Sequence, residues 1–101
     1  MSVDTPVRES PTTTREPTFT VEWLPPHKVV VHNNPTNTFD EVIRVLMAAV
    51  PGCGMSEAIG FTYEIHLTGA AVVFRGDVEE AEGCARKIRA IGIKVTVEPD
   101  V

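Results

Sequence analysis

Lys28-Val29-Val30-Val31-His32-Asn33-Asn34-Pro35-Thr36-Asn37-Thr38-Phe39-Asp40-Glu41-Val42-Ile43 is the stretch on which the fold turns. The run Val29, Val30, Val31 is β-branched and uninterrupted, which predicts a strand over 27–32 that is covered on both faces or central in its sheet. Five polar or turn-forming residues, Asn33 to Asn37, then predict a loop. Beyond it Phe39, Val42, Ile43, Leu46, Met47 and Val50 recur at i, i+3, i+4, i+7, the spacing of an amphipathic helix. Asn37 or Thr38 caps that helix, and Thr38 with Glu41 has the separation of a capping box. Pro51-Gly52 ends it.

Outward from this core the pattern continues. A second helix is predicted over 56–67, with Ala58, Ile59, Thr62, Ile65 and His66 on one broad face and Gly69 as its stop. A short strand follows over 70–74, then an Arg75-Gly76-Asp77 turn whose aspartate can cap a third helix. That helix runs to Ile91, and Gly92 favours a left-handed stop. Ile93, Val95 and Val97 alternate with Lys94, Thr96 and Glu98, which predicts a half-buried strand over 93–98. The order is β-α-α-β-α-β: an α+β two-layer sandwich of a three-stranded sheet and three helices.

Composition sets the limits. The chain has 101 residues, room for one domain, and a net charge of -5 that leaves no basic stripe for a nucleic-acid backbone. Arg86, Lys87 and Arg89 stand near the end of the third helix, where cations complement its dipole. Residues 1–24 are rich in Thr and Pro with little to bury, so they are expected to form a flexible tail ahead of a folded domain over 25–101. Trp23 is expected to anchor that tail. No apolar run suits a signal peptide or membrane span. Cys53 and Cys84 have no metal-type spacing and no export context, so a reduced cytoplasmic protein is expected.

Catalytic chemistry has no foothold. No phosphate loop, nucleophile elbow or metal motif is present; His27, His32 and His66 are not spaced as ligands, and Glu79, Glu80 and Glu82 read as a solvated helix face. Neither an enzyme nor a cofactor is expected.

Several pieces, in order, resemble the ClpS family of adaptors that recognise N-terminal degradation signals. They are Leu24-Pro25-Pro26, the Lys28 to Asn37 segment, Ile65-His66 followed by Gly69, and the Thr96-Val97-Glu98 end. The resemblance implies that Asn33 and His66 bind the free α-amino group of a substrate, with Asn34 beside them. It also implies a side-chain pocket built from Asn37, Phe39, Val42, Thr62, Ile65 and Ile93. The chemistry is coherent in itself. An α-ammonium brings only donors, so it needs convergent acceptors: a side-chain carbonyl from Asn33 and a neutral ring nitrogen from His66.

Each residue also has a plainer use. Asn33 and Asn34 can bond their own backbone in a turn, His66 can sit satisfied on a helix face, and Phe39, Val42 and Ile65 can be core. Four departures stand out against the family pattern. Asn34 occupies a position that is commonly aspartate, Phe39 one that is often methionine, and Thr62 one that is usually apolar; the third helix is several residues shorter than in typical members, beside the surface with which the family meets its unfoldase. By resemblance the partners are proteins carrying an N-degron with a large hydrophobic first residue, and a Clp-type AAA+ unfoldase, ClpA or ClpC-like. The alternative is a stand-alone interaction module of the same fold that has lost recognition of the first residue.

Overall fold

The structure is a computed structural model that describes residues 25–100. The tail expected over 1–24, Trp23 and Val101 lie outside the described residues. Six elements follow in the predicted order: β1 His27–His32, α1 Phe39–Ala49, α2 Met55–Thr68, β2 Ala70–Gly76, α3 Val78–Arg89 and β3 Val95–Pro99. The strands form one sheet in the order β2-β1-β3, antiparallel throughout. The valine run therefore lies on the central strand, with both backbone edges of β1 paired.

Alternate residues of β1 face the helices: Val29 and Val31 are fully buried, together with Leu46 from α1 and Ile88 from α3. Helix α3 lies across all three strands and packs on α1, while α2 packs on β2 and α1. Ala81 and Ala85 are also fully buried on α3, and these small residues let the helix axis come close to the sheet. On the opposite face, polar groups pair with one another: His32 Nε2 lies 3.1 Å from Thr96 Oγ1, which donates to Glu98 Oε2 at 2.9 Å.

Local chemistry fixes the helix ends. Thr38 is the N-cap of α1; the Glu41 N–H donates to Thr38 Oγ1 (3.1 Å) and the Thr38 N–H donates to Glu41 Oε1 (3.0 Å), a complete capping box. Asp77 caps α3 by accepting from the Glu80 N–H at 2.8 Å. Gly69 ends α2 at φ 97°, a backbone region that glycine enters without steric cost.

Three boundaries differ from the sequence expectation. Strand β2 continues through Arg75 and Gly76, because β1 reaches back to His27 and Lys28 and pairs with both. Strand β3 begins at Val95, leaving Ile93 in the connection from α3, though still buried at 4% exposure. Helix α3 stops at Arg89 and then tightens, with the Ile91 and Gly92 N–H groups bonding carbonyls three residues back. Helix α2 also buries less than its predicted face: Ala58, Thr62 and Ile65 are inside, whereas Ile59 and His66 are exposed.

Candidate functional site

Where β1 ends, the chain turns away from the sheet and crosses between the C-terminal end of α2 and the connection that follows α3. Several hydrogen bonds hold this crossing in place. The Asn33 N–H donates to the carbonyl of Gly69 (2.9 Å), tying the loop to the end of α2. Asn34 Nδ2 donates to the carbonyl of Gly92 (2.9 Å), tying it to the opposite side. Asn37 Nδ2 donates to the carbonyl of Ile91 (3.2 Å) and to Glu41 Oε1 (3.2 Å). Thus the loop spans from one helix end to the other, fixed on both.

Beneath the span is a cavity of about 290 Å³. That is near the small end of ligand-binding cavities, the scale of a single side chain with its attached backbone. Asn33, Asn34 and Asn37 reach it from the loop, Phe39 and Val42 from α1, Thr62, Ile65 and His66 from α2, and Ile93 from the connection before β3. The nine residues picked from the sequence thus line one cavity. Val31, His32 and Pro35 line it as well. The sequence reading missed these three: Val31 and His32 read simply as the strand's end, and Pro35 as loop.

The walls divide by chemistry. Val42, Ile65 and Ile93 are buried and apolar, and among the described residues no carboxylate, lysine or arginine lines the cavity. Thr62 is 2% exposed, and its hydroxyl donates to the carbonyl of Ala58 in its own helix at 2.7 Å, so it presents no free donor. The exposed His66 ring meets the Phe39 ring edge-on, with centroids 5.2 Å apart at 71°; Phe39 in turn meets Tyr63 at 5.3 Å and 89°. Such edge contacts orient a ring without burying it. Phe39 is 39% exposed, a wall of the cavity more than a member of the core.

The three asparagines differ in what they have left to offer. Asn34 is committed to the loop: beyond its bond to Gly92, its Oδ1 accepts from the Thr36 N–H (3.1 Å) and from Thr36 Oγ1 (2.8 Å). Asn33 uses its backbone N–H for the tie to Gly69, and among the described residues its side chain has no hydrogen bond. Asn37 has both amide hydrogens engaged while its Oδ1 is buried without a partner among the described residues. Glu41 holds this arrangement from outside. Its carboxyl is kept below the usual carboxylate range first by the Thr38 N–H, then by the Asn37 amide and by Arg44.

No group of three or more His, Cys, Asp or Glu among the described residues is arranged to hold a metal. Both cysteines are free thiols, and burial raises the pKa of each. No described helix is long and apolar enough to cross a membrane.

Comparison with known proteins adds the family. The sequence model of "ATP-dependent Clp protease adaptor protein ClpS" matches residues 23–96. The chloroplastic ATP-dependent Clp protease adapter protein CLPS1 of Arabidopsis thaliana is 33% identical over 97% of this chain and 64% of its own length. The ClpS adapter of Synechococcus elongatus is 30% identical over 99% of both chains. Among solved structures, Agrobacterium tumefaciens ClpS2, bound to L-phenylalaninamide, has the same fold, with a TM-score of 0.70 at 23% identity over 75% of this chain and 98% of that one. A single family accounts for the sequence match, the fold and the order of elements: this chain belongs to the ClpS family of ATP-dependent Clp protease adaptors.

Proposed function

We propose that the cavity receives the first residue of a substrate protein, and that the domain delivers the substrate to a Clp-type AAA+ unfoldase of the ClpA or ClpC kind. The observation that carries this reading is the joining of unblocked acceptors to an apolar hollow. Asn33 and His66 line the same cavity as Val42, Ile65 and Ile93. A chain's beginning is the one part of a protein that offers a free α-ammonium next to a side chain, and only there can both halves of the cavity be used at once. Agrobacterium ClpS2 in complex with L-phenylalaninamide is the same pairing of a free amine with a large side chain.

Magnitudes favour a reversible grip. Hydrogen bonds to a charged group contribute about 1.5–3 kcal/mol each, and burying a Leu or Phe side chain about 1.5–3 kcal/mol. Two of the first and one of the second sum to about 4.5–9 kcal/mol before the cost of ordering is taken off, so binding is micromolar at its tightest, about -8 kcal/mol. A carrier that must release its load to an unfoldase needs such a Kd.

Fluorescence anisotropy with labelled decapeptides beginning with Phe, Leu, Trp or Ser, each free and N-acetylated, tests the reading. Saturable binding of the hydrophobic starts, abolished by acetylation and weakened tenfold or more by Asn33→Ala or His66→Ala, is expected from about 1.5 kcal/mol per lost hydrogen bond. Equal binding of free and acetylated peptides would instead support an interaction module that no longer reads the first residue.

A further inference from the structure

Helix α2 shows more apolar surface than its packing uses. A helix that is apolar on more than one side is ordinarily enclosed, yet α2 buries only Ala58, Thr62 and Ile65. Among the described residues the large apolar side chains left exposed are Phe39, Met47, Met55, Ile59, Tyr63 and Leu67, and every one lies on α1 or α2. They are ordered along the helices. On α2, Met55, Ile59 and Tyr63 follow at four-residue intervals along one side, while Glu57 and Glu64, seven residues apart, share another. On α1, Phe39, Ile43 and Met47 have the same interval, with Ile43 half-buried against the core.

These two rows run side by side in opposite directions. Phe39, the first residue of α1, meets Tyr63 in the second half of α2 with ring centroids 5.3 Å apart, while residues 50–54 join the other two ends. Successive turns therefore set Phe39 with Tyr63, Ile43 level with Ile59, and Met47 level with Met55. The first of these levels is also the rim of the cavity. Of the residues lining the cavity only Asn33, Pro35, Phe39 and His66 are exposed, so the cavity meets solvent there. Asn33 and His66 flank the amine in the proposed reading, which leaves Phe39, backed by Tyr63, as the large apolar part of the rim. An apolar strip that begins at a substrate cavity and leads away from it is placed for the residues that follow the first.

Resting on the proposed function, we infer that the strip between α1 and α2 is a second substrate subsite, which takes apolar side chains at the third and fifth positions of the degron. The spacing carries this assignment. In an extended chain alternate side chains face the same way, about 6.6 Å apart. A first side chain turned into the cavity therefore puts the third and fifth toward the protein, and the second and fourth toward water. Four residues of a helix advance about 6 Å, close to the same step. The third side chain then lies on Phe39 and Tyr63, and the fifth on Ile43 and Ile59.

The test uses the full chain and labelled nonapeptides that begin with phenylalanine and differ only in the placing of two leucines. One has them at positions 3 and 5, one at positions 2 and 4, and one has serine at all four. Each leucine at 3 or 5 is partly buried on a helix surface and is expected to tighten binding about threefold, so about tenfold together. Leucines at 2 and 4 should change it by less than about twofold. In Ile59→Gln, an exposed position where glutamine keeps the helix, the advantage of the 3,5-peptide over the serine peptide should fall to about threefold or below. Leu67→Gln alters the most exposed of these side chains, outside the strip, and should leave that advantage as it is. No advantage for the 3,5-peptide, an equal one for the 2,4-peptide, or one lost in Leu67→Gln but kept in Ile59→Gln would overturn the inference. Dimers in sedimentation velocity that Ile59→Gln dissolves, with no gain from leucine, would give the strip to a second copy of this chain and overturn it too. If the serine peptide binds and its acetylated copy does not, while leucine adds nothing, the proposed function stands and only this inference falls. If no peptide binds in an amine-dependent way, both fall together.

Discussion

Replacing Asn34 with aspartate should move stability and affinity in opposite directions. In the structure the asparagine side chain makes three hydrogen bonds: Nδ2 to the Gly92 carbonyl at 2.9 Å, and Oδ1 from the Thr36 N–H and hydroxyl at 3.1 and 2.8 Å. Aspartate keeps both bonds from Thr36 but has no hydrogen for Gly92, and it sets an anionic oxygen near that carbonyl. The side chain is partly exposed, so the lost bond counts toward the low end of its usual range; with the added repulsion the cost is about 1 kcal/mol. For a domain of this size that corresponds to a fall in Tm of roughly 4–8 °C. Alanine loses all three bonds and should cost about 2 kcal/mol.

Affinity has a different balance. A carboxylate about 6 Å from a bound ammonium gains about 0.7 kcal/mol in water and nearer 3 kcal/mol at an effective dielectric of 20. A several-fold tighter grip on a free-amine peptide at low ionic strength is therefore expected for Asn34→Asp, fading as salt screens the pair. Asn34→Ala should show the lower Tm with no salt-dependent gain. Thermal unfolding by circular dichroism and anisotropy at low and high salt read the two effects separately. An unchanged Tm in Asn34→Asp would mean that the tie to Gly92 does not hold the loop. No gain at low salt would mean that position 34 lies outside the reach of the ammonium.

The hydrogen bonds of Asn34, two local and one distant, separate the features that were readable from the chain itself from those that were not. Features governed by near neighbours were legible: the valine run of β1, the Thr38–Glu41 box and the glycine stop at Gly69 each follow from residues a few positions apart. Features governed by distant partners were not. The Asn34 amide finds its acceptor 58 residues away, and the Asn37 amide 54 residues away. Nothing in a loop of turn-forming residues says that one amide is committed and the next left with an open oxygen. Strand boundaries failed for the same reason. Ile93 keeps the in-out rhythm of Val95 and Val97, yet β1 pairs only as far as Val31 with Val95, and β1 turns away before Ile93 could find a partner. The candidate site was legible as a set of residue types in order, through the resemblance; its hydrogen-bond economy needed the fold.

Two further perturbations probe the cavity and its support. Thr62→Val should leave peptide affinity within about twofold and Tm nearly unchanged, because the hydroxyl it removes is bonded to the Ala58 carbonyl and the shape is kept. A large loss of binding, measured by the same anisotropy titration, would show that the Thr62 oxygen meets the ligand. Acid should weaken the loop through Glu41, whose carboxyl is held below its ordinary range first by the Thr38 N–H and then by the Asn37 amide. A carboxyl with a depressed folded-state pKa contributes stability that is complete above its unfolded value and is lost as pH falls through the folded one. Stability should therefore decline below the ordinary carboxylate range, and Glu41→Gln, which keeps an acceptor but has no proton to take up, should decline less steeply over that window. Urea unfolding followed across acidic pH gives both slopes. Parallel slopes would mean that another carboxylate carries the acid sensitivity and that Glu41 does not hold the capping box and Asn37 by its charge.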